Sequence, residues 1–132
     1  MTNYNLADLV VRIKVAFNAR LISIKIIKTK LNLNILYLLY KMGLIRSLHV
    51  LEKEILVYLK YKKNGKPLIY DMSIVSKPSK RIYWNLTMLS KHYRKHAFSS
   101  FYIISTSRGL MTSNDALLGK NISGEVLCSI KI

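Results

Sequence analysis

A chain of 132 residues, about half of them apolar, carries 22 Lys and Arg against six Asp and Glu, a formal charge of +16. That length supports one ordinary core or two small subdomains, and so large a surplus of one charge repels itself unless a polyanion neutralises it. Six scattered carboxylates (Asp8, Glu52, Glu54, Asp71, Asp115, Glu125) and three histidines offer little from which to assemble a catalytic constellation, and the longest clearly apolar stretch, 35–40, falls far short of the roughly 18 residues that cross a bilayer.

The basic residues run from Arg12 to Lys131 instead of collecting in a tail, which points to a folded positive surface with a large footprint on its partner. Cys128 is the sole cysteine, so an intramolecular disulfide is excluded and a structural zinc site would lack its usual thiolates. No cofactor, metal, membrane or small-molecule substrate is expected. The N-terminal run MTNYNLADLVV has neither the basic amphipathic character of a transit segment nor a secretory apolar stretch. Sixteen Ile and nine Asn against five Ala is the bias of a compact A+T-rich genome, from which we expect an organelle-encoded chain, mitochondrial first and plastid as the alternative.

Asn5 and Asp8 have the spacing of a capping box, Leu6, Leu9, Val10, Ile13 and Phe17 follow at helical spacing, and Asp8 is placed to pair with Arg12. Ile22, Ile24 and Ile26 alternate with Ser23 and Lys25, the period of a half-buried strand with Lys25 outward. From Thr29 as N-cap, Leu31, Ile35, Leu38, Leu39 and Met42 make a second helical stripe, which ends at Gly43 where a left-handed C-cap belongs. Residues 44–51 and 55–61 read as a hairpin joined at Glu52 and Lys53. In the next turn Asn64-Gly65 supplies positive φ angles and presents Lys62, Lys63 and Lys66 at the tip.

Residues 67–76 read as a further strand, and Lys77-Pro78-Ser79-Lys80-Arg81 as a rigid basic loop entering Ile82-Tyr83-Trp84. A helix is predicted over 86–97, strands over 101–105 and 125–130, a turn over 106–109 and a short helix over 113–118. His92 and His96 have the helical spacing of a metal pair, but the Tyr-Arg-Lys between them favours a basic, exposed helix face. Glu52 and Glu54 read as solvating their turn in preference to general acid and base work. The expected fold is α+β in two small subdomains: 1–66, a helix-strand-helix-hairpin unit, and 67–132, mainly antiparallel β with short helices.

The segment Ser105-Thr106-Ser107-Arg108-Gly109 offers three hydroxyls, an arginine for phosphate and a glycine that permits close backbone approach. Spacing alone leaves two interpretations open: an RNA-facing loop, or a polar turn that makes only its own hydrogen bonds.

Residues 105–112, followed after a short helix by Ser123-Gly124-Glu125-Val126-Leu127-Cys128, resemble the C-terminal signature of the universal small-subunit ribosomal protein eight family. The basic stretch 76–83 resembles that family's loop of a basic residue, Pro, Gly, a variable residue, Arg and an aromatic. Ala7-Asp8-Leu9 with Arg12-Ile13-Lys14, and Lys30-Leu31 through Lys41-Met42-Gly43-Leu44-Ile45, match its N-terminal half in order and spacing. The resemblance implies two α/β subdomains, a non-enzymatic role, binding to a helical junction in the central domain of small-subunit rRNA, early assembly, and proximity to small-subunit proteins five and twelve.

Carried over, Ser105, Thr106, Ser107 and the backbone at Gly109 would line an RNA minor groove and bulge, Arg108 would hold phosphate, and Glu125 would accept hydrogen bonds from the serine loop or a base. Lys77, Pro78, Lys80 and Arg81 would flank them, with Tyr83, in preference to Trp84, stacking on a base or sugar. Arg12, Lys14 and the lysines of segments 25–30 and 60–66, Lys25, Lys28, Lys30, Lys60, Lys62, Lys63 and Lys66, would neutralise phosphates. Three departures bear on this: Ser79 and Ser123 replace family glycines, one extra residue lies between Thr112 and Glu125, and Val15 replaces a polar residue. Two other classes compete, a nucleic-acid-processing enzyme using Asp8, Asp71, Asp115 or Glu125 with a divalent ion, and a basic protein lying on anionic membranes.

Overall fold

The computed structural model describes residues 5–96, 99–119 and 121–132, the side chain of His96 excepted. The fold is α+β and divides into two compact units, Met1–Tyr70 and Asp71–Ile132.

The first unit runs α1 (Asn5–Asn18), β1 (Ser23–Ile27), α2 (Lys30–Lys41), β2 (Ile45–Val50) and β3 (Glu54–Leu59). The strands form an antiparallel sheet in the order β1-β3-β2. On α1 the spacing of Leu6, Leu9, Val10, Ile13 and Phe17 does select the buried face, Ala16 joins it, and Arg12 Nε meets Asp8 Oδ2 at 2.9 Å. Thr29 caps α2 through its side chain, which accepts from Asn32 N, and Gly43 follows the C-cap with φ +80. The buried stripe of α2 is Asn32, Ile35, Leu36 and Leu39. The expected stripe through Leu31, Leu38 and Met42 is therefore rotated by one position, which brings the polar Asn32 inside.

Asn32 is buried because β1 needs it there. Leu59 N bonds Ile22 O and Lys28 N bonds Lys53 O, so in this ladder the even-numbered residues face β3, and Ser23, Lys25 and Ile27 turn their backbone groups to the open edge. Asn32 Nδ2 donates to Ile27 O at 3.0 Å, and Arg12 Nη1 donates to Lys25 O at 3.4 Å. Two of the three outward carbonyls are thus covered by helix side chains, a means of blunting a sheet edge. The strand begins at Ser23, and Ile22, expected in its buried row, is 74% exposed: alternation assigns a residue to a face, not a cover over that face.

Beyond β3, Lys62 N bonds Lys66 O, and Arg20 Nη1 donates to Gly65 O at 2.8 Å, which ties this turn to the end of α1. Only Gly65 has positive φ; Asn64 instead accepts from Lys66 N through Oδ1 at 3.0 Å. The expectation of two positive φ angles is corrected accordingly, because the Asn side chain closes the turn by itself.

The second unit comprises β4 (Asp71–Ile74), β5 (Tyr83–Trp84), α3 (Leu86–His96), β6 (Ser100–Thr106), β7 (Gly109–Thr112) and β8 (Gly124–Lys131). β8 is central: β6 pairs along one side, β4 and β5 share the other, and β7 extends the sheet from β6, all antiparallel. Leu89, Ile104, Met111, Ala116 and Val126 form a core cluster against which Trp84, Leu86, Tyr102, Leu117 and Ile122 pack.

The strand expected over 67–76 is only four residues long. Asp71 already pairs with Lys131, near the end of β8, so 67–70 have no partner there, and Pro67 bridges Tyr61 instead. Gly109, expected in the turn over 106–109, begins strand β7, which runs on through Thr112. The short helix expected over 113–118 closes as a π-helical turn, Asp115–Gly119, begun by Thr112 Oγ1 accepting from Asp115 N. Ala97, the last residue of the helix predicted over 86–97, lies outside the described residues.

Candidate nucleic-acid interface

Register places the chemistry. Tyr83 pairs with Glu125, Glu125 with Ser105, and Ser105 with Leu110, one row across β5, β8, β6 and β7. The neighbouring row, Val126, Ile104 and Met111, lies in the core cluster. Because successive residues alternate faces, Tyr83, Glu125 and Ser105 stand on the side of the sheet away from that core. A register shift between Ile103 and Ile104 leaves Leu127 of β8 without a partner on β6 and sets this phase. Tyr83 is 69% exposed, and Trp84 is half-buried.

At one end of the row stands the basic loop. Ser76 is fully buried, and its Oγ accepts from Ile82 N at 2.9 Å and donates to Ile82 O at 3.3 Å, closing the loop at its base. Lys77 and Lys80 exchange backbone hydrogen bonds, each 3.0 Å, so Pro78 and Ser79 form a tight tip. Ser79 is not among the residues with positive φ, so it replaces the family glycine without backbone strain. Lys77, Pro78, Lys80 and Arg81 are all exposed. Arg81 Nη1 lies 3.4 Å from Glu125 Oε2; Glu125 is thus engaged by the basic loop and makes no bond to the serine turn.

At the other end, the turn between β6 and β7 organises itself through one hydroxyl. Thr106 Oγ1 donates to Gly109 O at 2.8 Å and accepts from Arg108 N at 3.2 Å, while Gly109 takes φ +105. Thr106 is accordingly spent on the turn. The Ser105 and Ser107 hydroxyls have no hydrogen-bond partner among the described residues, and Ser107, Arg108 and Gly109 are exposed. The polar-turn interpretation thus holds for Thr106, and the Ser105 and Ser107 hydroxyls are left over from it.

Two features carry no obvious sequence signal. Gly124 passes so close under Ser105 that a Cβ on it would overlap the Ser105 carbonyl, a constraint visible only once β8 and β6 are side by side. On the core side of the sheet, Trp84 stacks on His92 at 4.0 Å with planes 6° apart, and Tyr102 stands edge-on to both. The expected basic, exposed face of α3 is corrected at His92, which packs inward because the indole offers it a flat apolar surface. Tyr102 ionises above its ordinary range because burial disfavours phenolate, and burial pushes the Cys128 thiol up to about 12.

Of the first-unit cations, Lys14, Lys28, Lys30, Lys62, Lys63 and Lys66 are exposed, Lys25 Nζ lies 4.0 Å from Glu54 Oε2, and Arg12 is held by Asp8 and the Lys25 carbonyl. Among the described residues no three His, Cys, Asp or Glu converge as metal ligands, and no helix is long and apolar enough to cross a membrane.

The model of the family described as ribosomal protein S8 matches residues 4–130. The chain belongs to the ribosomal protein S8 family. Its relatives include the small ribosomal subunit protein uS8 of Rickettsia massiliae (strain Mtu5), of Rickettsia akari (strain Hartford) and of Rickettsia bellii (strain OSU 85-389). Each is 35% identical over 130 residues, covering 96% of this chain and 96% of the relative. As a member of the S8 family the chain has a structural role in the small ribosomal subunit and is not an enzyme.

Proposed function

We propose that this S8-family protein holds a helical junction in the central domain of small-subunit rRNA through the face that joins the serine turn to the basic loop. The observation that carries this assignment is the division of labour in the turn: Thr106 is consumed in shaping it, and Ser105 and Ser107 are left with hydroxyls to offer. A hydroxyl that both donates and accepts suits the 2′-hydroxyls and base edges of a shallow RNA minor groove. Arg108, Lys77, Lys80 and Arg81 supply phosphate contacts on either side, Gly109 and Pro78 shape the two tips, and Tyr83 presents a ring for stacking on a sugar or an unpaired base. Glu125 positions Arg81 and retains acceptor capacity toward RNA.

Lys14, Lys25, Lys28, Lys30, Lys62, Lys63 and Lys66 add phosphate neutralisation from the first unit, with Arg12 contributing what its internal contacts leave free. If about six to ten phosphates are contacted, affinity falls roughly a thousandfold or more between about 50 and 200 mM salt. An early place in assembly and contact with small-subunit proteins five and twelve belong to the same proposal. So does residence in a mitochondrial ribosome, supported by the Ile- and Asn-rich, Ala-poor composition and by relatives in Rickettsia, bacteria related to mitochondria.

Crosslinking in the native organelle, followed by mapping of the attached RNA, tests site and compartment together. Recovery of central-domain rRNA through residues 105–109 and 77–83 is expected. A chain that sediments apart from small-subunit particles would overturn the assignment.

A further inference from the structure

The first unit contains a small basic hollow lined by Arg46, a residue outside every RNA-binding segment assigned above. β2 and β3 pair Ile45 with Leu59 and then Ser47 with Tyr58, so Arg46 is an extra residue bulged out of the ladder. A bulge re-aims the side chain it carries. Here Arg46 lines a hollow of about 310 Å³ together with Lys60, Leu59 and Tyr61. The hollow is a firm one. Leu59 is buried, and Tyr61 is fixed by an edge-on contact with Phe17 and by its hydroxyl, which donates to Leu21 O.

Both cations are exposed, and neither has a side-chain hydrogen bond or ion pair with any described residue. This contrasts with Arg12, Lys25 and Arg81, each of which has a carboxylate beside it. No acidic residue lines the hollow. Two cations that line one hollow beside a buried leucine and a fixed tyrosine, with no carboxylate in the lining, suit a compact tetrahedral anion.

Resting on the rRNA-binding assignment above, we propose that Arg46 and Lys60 jointly hold one RNA backbone phosphodiester, a contact made by the β2 bulge and separate from the serine face. The arginine provides two parallel N–H donors and the lysine a point charge. Since both act on the same phosphate, loss of either removes most of what loss of both removes.

The test is phosphate-ethylation interference on a central-domain rRNA transcript, with the full chain and with Arg46→Ala, Lys60→Ala and the double variant, alongside salt titrations of affinity. The wild-type chain is expected to show a phosphate whose ethylation weakens binding, and that signal is expected to vanish in the double variant while all others persist. Arg46→Lys is expected to retain it. The slope of log affinity against log salt should shrink by about 0.7 to 0.9 in the double variant, the share of one phosphate, and by little more than in either single variant. An unchanged interference pattern, or additive slope losses, would overturn the joint site while leaving the serine-face assignment standing. A wild-type chain without any interference signal would overturn both. Both residues are surface groups, and unchanged thermal unfolding of the variants confirms that any loss is one of binding.

Discussion

The Ser105 carbonyl occupies the space that a Cβ on residue 124 would need, so the two strands carrying the serine turn and Glu125 meet only because that residue is glycine. Both strands are anchored in the core through Ile104 and Val126, which are fully buried, and neither can simply step aside. Gly124→Ala should therefore cost about 1–3 kcal/mol, the usual range for overpacking a closed site. Urea unfolding reads this directly, and an unshifted midpoint would show that the approach can relax. Affinity for rRNA should fall as well, since Ser105 must move.

Replacing Ser105 and Ser107 together by Ala should weaken binding to the central-domain junction more than binding to generic duplex RNA, because neither hydroxyl supports the fold. Thr106→Ala acts by another route: it removes the bonds to Gly109 O and from Arg108 N, so the turn loosens and stability falls by about 1 kcal/mol. Parallel binding and unfolding measurements separate the two effects. Equal losses on both RNAs for the double serine variant would reduce the loop to ordinary backbone contact.

Removing Lys62, Lys63 and Lys66 should lower affinity for specific and generic RNA alike and flatten the salt dependence, since ammonium groups on phosphates convey little sequence information. The turn itself should survive, because Arg20 and Asn64 hold it through the Gly65 carbonyl and the Lys66 N–H. Filter binding across a salt series gives the answer, and a selective loss on the cognate junction would contradict it.

Cys128 should resist thiol reagents until the second unit unfolds, being wholly buried with its thiol pushed up to about 12. The unfolded chain ionises near the ordinary thiol value of 9.0, so the folded form gains from this group below that pH and loses the gain as pH climbs toward about 12. Tyr61 and Tyr102, both raised chiefly by burial, act in the same direction from the ordinary phenol value of 10.0 upward. Denaturant midpoints should consequently drop on the alkaline side, and less steeply in Cys128→Val. A flat profile above pH 9 would refute this account.

Trp84 is the protein's single tryptophan and lies flat against His92, so its emission reports that stack. His92→Ala should change the intensity of folded-state fluorescence without abolishing cooperative unfolding. Identical spectra would mean that the rings part in solution.

Helical and strand periods were legible where a single face meets a single core, as on α1, whose apolar spacing picks out five of the residues it buries. On α2 the pattern misled by one position, since a sequence rich in leucine on several faces does not reveal that Asn32 must turn inward to reach the Ile27 carbonyl. The serine turn was recognisable from its residue types, yet which hydroxyl closes the turn and which stay open depends on backbone angles, above all the φ of Gly109. Arg46 could not be singled out at all. A bulge is a mismatch between two strands, and neither strand records it alone.

The side chains of Arg12 and Asn32 that cover the outer carbonyls of β1 have a bearing on the life of the protein before it meets RNA. A newly made copy awaiting its transcript carries a row of backbone acceptors that another copy could otherwise zip onto. With two of the three outward acceptors already occupied, such zipping is disfavoured by two residues whose contribution does not depend on touching nucleic acid.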